Sequence, residues 1–174
     1  MVTGNGVKAR RPRTGLGDPA QLLSLIVQPF DKLITMSNVG GAIEFGSTGL
    51  VGLPIGDFIV MGGMLALDAI ESSANIVNTF NVTTALGTTA TADLTLSGTE
   101  INLLAAAAAG AATSSVSPRI KRAIAAVAAP FDNNNAALAA FLNVTLPDAD
   151  ISGAATLRVR GTLRLLIAGL GKNT

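Results

Sequence analysis

Apolar and polar side chains alternate most regularly in ATLRVRGTLRLLIAGLG, residues 155–171. Leu157, Val159, Leu163, Leu165 and Ile167, with Gly161 in their row, fall on one side of an extended chain, and Thr156, Arg158, Arg160, Thr162 and Arg164 fall on the other. From Leu157 to Ile167 this spans ~36 Å, a long strand for a small domain, with one face for a core and one for an outer sheet surface. The same period of two groups Ile76, Asn78, Phe80 and Val82 against Thr79, Asn81 and Thr83. It recurs at Leu94 and Leu96 in ADLTL, and at Leu138, Ala140, Leu142, Val144 and Leu146 in LAAFLNVTL. Upstream, LLSLIV and DKLITM are apolar runs parted by Gln28-Pro29-Phe30, where proline punctuates two strands or a strand and a bend.

Turn chemistry separates these runs. Residues 40–70 hold eight glycines, too many for a stable helix at about 1 kcal/mol each relative to alanine. In LPIG, Pro54 fits the second position of a type I turn and Gly56 the fourth. Gly62 and Gly63 mark a bulge or a close backbone approach. Two segments carry helical features: INLLAAAAAGAATSSVSP (101–118) is alanine-rich apart from Gly110, and RIKRAIAAVAA (119–129) repeats Ile120, Ile124 and Val127 at helical spacing. The expectation is a short helix or loop for the first and a strand for the second. FNVT at 80–83 and LNVT at 142–145 echo one another, a likeness that shared strand chemistry accounts for. Many short strands with turns between them predict a mainly β chain, an antiparallel β-sandwich or jelly-roll-like single domain over residues 21–174. Residues 1–20, rich in glycine, proline and charge with little to bury, predict a flexible basic arm.

Composition narrows the chemistry. The 174 residues contain no His, Cys, Trp or Tyr, so Ser-His-Asp and Cys-His triads, nitrogen- or sulfur-ligated zinc, haem ligation and redox dithiols are out of reach. No GxGxxG or Gly-Lys-Ser/Thr signature stands for a nucleotide site. The expectation is a protein that is not an enzyme and takes no cofactor. Asp148 and Asp150 are the closely spaced carboxylates, and the favoured reading is a solvated turn over a hard-cation site. Asp68 and Glu71 read as solvated charges at a strand end. The triplets at Asn81 and Asn143 match a glycosylation acceptor, which is idle where no secretory signal is visible. The apolar part of 101–118 falls short of the ~20 residues of a membrane span, so no membrane partner is expected.

Charge is laid out unevenly. Lys8, Arg10, Arg11 and Arg13 make a basic head, all eleven acids lie between residues 18 and 150, and Arg158, Arg160, Arg164 and Lys172 make a basic tail. Such blocks suit contacts between copies or with an acidic neighbour. KARRPR could also bind phosphates, but no aromatic residue is interleaved for base stacking, so nucleic acid is the less favoured partner. Three arginines on one strand face repel unless something acidic lies opposite, and a neighbouring subunit's acids are the expected source.

The runs LPIGDFIVMGGMLAL, FNVTTALGTT and NVTLPDADISGAATLRVRGTLRLLIAGLG resemble the pattern of tailed-bacteriophage capsid cement or decoration proteins, from about Leu50 to Gly171. That resemblance implies a non-enzymatic β-sandwich or jelly roll on the outer surface of the shell. Its implied partners are the major capsid protein and copies of itself as a homotrimer, assembled into the virion in the host cytoplasm. The sequence departs from the pattern in its longer basic arm and in the three arginines, which stand where threonines and valines are expected. The candidate partner-binding residues are therefore Lys8, Arg10, Arg11 and Arg13 in the arm, and Arg158, Arg160 and Arg164 in the last strand. The alternative is a nucleic-acid-binding or packaging-associated phage protein using both basic termini.

Overall fold

A computed structural model describes residues 23–37, 43–72, 75–76, 79–92, 95–113, 119–127, 129–134, 137–147, 150–151 and 155–171. The arm, with Lys8, Arg10, Arg11 and Arg13, lies outside the described residues. Among the described residues nine strands run in chain order: β1 (Leu23–Met36), β2 (Ile43–Gly52), β3 (Gly56–Ser72), β4 (Thr79–Gly87), β5 (Leu104–Thr113), β6 (Ile120–Ile124), β7 (Phe131–Asn133), β8 (Ala139–Pro147) and β9 (Ala155–Gly171). They form two antiparallel sheets. One has the order β1-β9-β3-β6, with β7 also paired to β3, and the other has the order β2-β8-β4-β5. The architecture is the β-sandwich that the alternation predicts.

The core lies between the sheets. Leu157, Val159, Leu163, Leu165 and Ile167 of β9 are all buried, as their shared row requires, beside Phe58, Val60, Leu65 and Leu67 of β3. Phe80, Val82 and Leu86 of β4 and Leu142, Val144 and Leu146 of β8 meet them from the second sheet. Gly161 sits where β9 passes closest to its neighbour: a Cβ there would overlap the carbonyl oxygen of Ala66 and stand 2.9 Å from Phe30 Cζ. Both readings of the Gly62-Gly63 pair hold. The β3–β9 register shifts between Val60 and Gly62, Gly62 has φ +147°, and a Cβ on Gly63 would overlap the Arg164 carbonyl.

Four expectations change. From Leu23 on, the two runs LLSLIV and DKLITM form one continuous strand, because β1 is the sheet edge. There Pro29, in register with Thr162, breaks no ladder on the side that faces β9, and Gln28 Nε2 donates to the Pro29 carbonyl at 2.7 Å. The alanine-rich 104–113 is a strand, not a helix or loop: pairing with β4 outweighs an intrinsic preference worth tenths of a kcal/mol per residue. ADLTL is not a strand at its described positions. Leu96 instead leads into a 3-10 turn at Gly98–Glu100, where Glu100 accepts from the backbone amides of Ala92 (3.2 Å) and Ser97 (3.0 Å). Asn143, read from sequence as an idle triplet, is fully buried and anchors this loop: its side chain accepts from Thr91 N and donates to the Thr89 and Glu100 carbonyls. The strand expected within 119–129 is β6.

Side chains close the sandwich at one edge. Arg122, on β6 of the first sheet, donates to the Thr84 carbonyl at 2.6 Å, to Thr84 Oγ1 at 3.2 Å and to the Ala105 carbonyl, all in the second sheet. Burial pulls its guanidinium below the usual arginine range, yet several donors aimed at carbonyls keep it charged there. At another edge a single bridge, Ser37 to Phe45, joins the end of β1 to β2.

Two outcomes test this packing by chemical denaturation. Gly161→Ala should cost about 1–3 kcal/mol through overpacking, while Gly52→Ala, with nothing within 4 Å, should be near neutral. Arg122→Met should cost about 1–3 kcal/mol by leaving the Thr84 and Ala105 carbonyls without their donor, with Arg122→Lys between Met and wild type.

Candidate interaction surface

Strand β9 lies between β1 and β3, so its outward row is flanked by theirs. The register sets Arg158 between Leu33 and Glu71, Arg160 between Asp31 and Ala69, and Arg164 between Val27 and Met64. Arg158 reaches diagonally to Asp31 with two hydrogen bonds, Nε–Oδ1 at 2.8 Å and Nη2–Oδ2 at 2.6 Å, and lies 3.9 Å from Glu71. Arg160 donates to Glu71. The acids that Arg158 and Arg160 need are thus supplied by β1 and β3 of the same chain, where a neighbouring subunit was the expected source. Glu71, read as a solvated strand-end charge, is a member of this network.

The pairs are about half exposed, so their role is to neutralise the row more than to hold the fold. Hydrogen bonding from Arg158 holds the Asp31 carboxyl below the usual carboxylate range, and the same bonds raise the Arg158 guanidinium. Beside them Asp31, Lys32, Leu33 and Arg158 line a shallow hollow. Among the described residues no three metal-ligating side chains converge. Asp150 accepts from the backbone amide of Asn81 on β4 at 3.0 Å, and Asp148 lies outside the described residues.

Arg164 differs. Among the described residues it makes no ion pair or side-chain hydrogen bond, and its neighbours are Val27, Met64 and Leu166. From this point towards Gly171 the outer face is apolar. Leu23, Leu25, Val27, Met61, Leu166 and Leu170 are 38–64% exposed. Sequence alternation marked the arginines of this face but not its apolar end, because which β1 residues join β9 depends on register.

No family model and no curated protein matches the chain. Among solved structures, a chain of the cyanophage Pam1 capsid asymmetric unit is 18% identical, with 95% of this chain and 99% of that one covered at a TM-score of 0.42. A chain in the structure of the infectious bursal disease virus Gt strain is 12% identical, with 98% of this chain and 37% of that one covered at a TM-score of 0.31. These are distant likenesses of chain path. Among the described residues no helix is long and apolar enough to cross a membrane.

Asp31 gives a pH signature. Its depressed carboxyl contributes stability that is complete above the ordinary aspartate range and is lost as pH falls through the depressed value. The urea midpoint should therefore decline on acidification, and Asp31→Asn should remove part of that slope while leaving Arg158 unpartnered on β1.

Proposed function

We propose that the protein is a non-enzymatic virion structural protein that binds the outer surface of a bacteriophage capsid and cements the shell. One observation carries the reading: the motif that resembles the cement proteins, DADISGAATLRVRGTLRLLIAGLG, ends in the 17-residue strand β9, central in its sheet, with a solvent-facing row along it. Assembly proteins work through such extended, rigid faces, and the absence of His and Cys from the sequence removes the common catalytic constellations.

In this reading the arm residues Lys8, Arg10, Arg11 and Arg13 reach an acidic patch on the shell. Arg158 and Arg160 take a lesser part, because Asp31 and Glu71 already neutralise them. That neutralisation also weighs against the nucleic-acid alternative: a phosphate backbone would have to displace two acids of the protein itself.

Stoichiometry and imaging of purified phage particles test the reading. The expected result is a fixed copy number on the outer shell, and absence from particles overturns it. Changing Lys8, Arg10, Arg11 and Arg13 together to Gln in the full chain should leave the unfolding midpoint unchanged and weaken head binding at least tenfold, with a flatter salt dependence than wild type.

A further inference from the structure

We propose that the apolar end of the outer face of the five-stranded sheet is a two-fold interface between two copies of this chain. The inference stands on the sheet face alone and goes beyond the capsid reading. Single exposed leucines need no explanation, but six large apolar side chains contiguous over three adjacent strands do. With strands ~4.8 Å apart and residues ~3.3 Å apart, the patch measures roughly 14 by 23 Å, less than half of the ~800 Å² per partner of a standard interface, so the polar surface around it supplies the rest.

The rim is present and self-complementary. At one end stands Arg164, without an ion pair among the described residues. At the other, Asp57 of β3 is directly opposite Asp132 of β7, and Asn134 Nδ2 donates to both, at 2.6 and 3.0 Å. Two carboxylates side by side repel, and an arginine would relieve them. The midpoint between the ends is the row Leu23–Ala168–Ile59. Arg164 lies four residues before Ala168, and Asp57 is in register with Gly171, three residues after it. A two-fold axis through this row sets Leu166 of one copy over Leu170 of the other and carries each Arg164 to the partner's acidic end. The small side chain of Ala168 leaves room for the sheets to approach.

Pairing through the β1 edge is the competing geometry, and Pro29 obstructs it. Its nitrogen has no proton to give, and its carbonyl is already taken by Gln28 Nε2. The charged half of the face, neutral through Asp31–Arg158 and Glu71–Arg160, extends past the end of the partner and stays in water.

Sedimentation equilibrium of the full chain at micromolar concentration tests the proposal. The expected mass is twice 17.5 kDa. Ala168→Arg and Arg164→Asp should each weaken the dimer at least tenfold with the unfolding midpoint of the monomer unchanged, and adding Asp57→Arg to Arg164→Asp should restore most of the loss. A monomer at every concentration, as when residues 1–20 of the same chain cover the face, overturns the proposal. So does the trimer that the cement-protein resemblance implies, a dimer indifferent to Ala168→Arg, or a charge exchange that restores nothing. Each of these results leaves particle binding to be decided separately by copy number.

Discussion

Everything in the first sheet hangs on β9 pairing along both of its edges, with β1 from Leu23 to Met36 on one side and with β3 from Asp57 to Ser72 on the other. Among the described residues β1 has no other partner in its sheet, so that strand depends on β9 for its ladder. The constraint reaches down to single atoms. β9 can approach both neighbours because Gly161 and Gly63 keep side chains out of the closest contacts. A one-residue slip would turn Leu157, Val159, Leu163, Leu165 and Ile167 out to water and bring Arg158, Arg160 and Arg164 into the core, which makes register the most strongly specified feature of the molecule.

That same strand was the most legible part of the sequence. Its core row is written in a strict period of two, and so is that of β8, so the period alone names which side chains are buried. β5 was not legible, because alanine carries no period and its helical propensity points the wrong way. Only the partner strand decides its state, and β4, though it is the preceding strand, lies beyond the reach of local propensity. Arg122, Asn133 and Asn143 were invisible for a related reason. Each acts on backbone groups distant in the chain: Asn133 donates to the Leu53 and Pro54 carbonyls and accepts from Leu138 N, and nothing local marks a residue for such work. Asn133 and Asn143 are buried and Arg122 is half-buried, and burial of a polar side chain is a fact of the fold.

The outward row of β9 shows how far alternation goes and where it stops. It placed Arg158, Arg160 and Arg164 on one face correctly, but it could not say what faces them. Asp31 lies 127 residues from Arg158 in sequence, and the two meet because β1 and β9 are antiparallel neighbours. Once that register is known, three arginines that looked equivalent separate into two kinds. Arg158 and Arg160 are neutralised, and Arg164 is a charge among apolar side chains. Arg164 is exposed, so water solvates its guanidinium as it does those of the paired arginines, and what sets it apart is the apolar surface around it.

The edges bear on how such a molecule associates. Sandwich proteins risk joining edge to edge, and each sheet here has devices against it. β1 carries Pro29 with its carbonyl occupied, and β6 and β7 are only five and three residues long. β5 follows β4 with two register shifts, and β2 follows β8 with one, so neither presents a straight ladder. With strand addition disfavoured at the edges, the surface left for specific contact is a sheet face. The outer face of the first sheet is the one on which exposed leucines, an unpaired arginine and an acidic pair follow one another along a single strand direction.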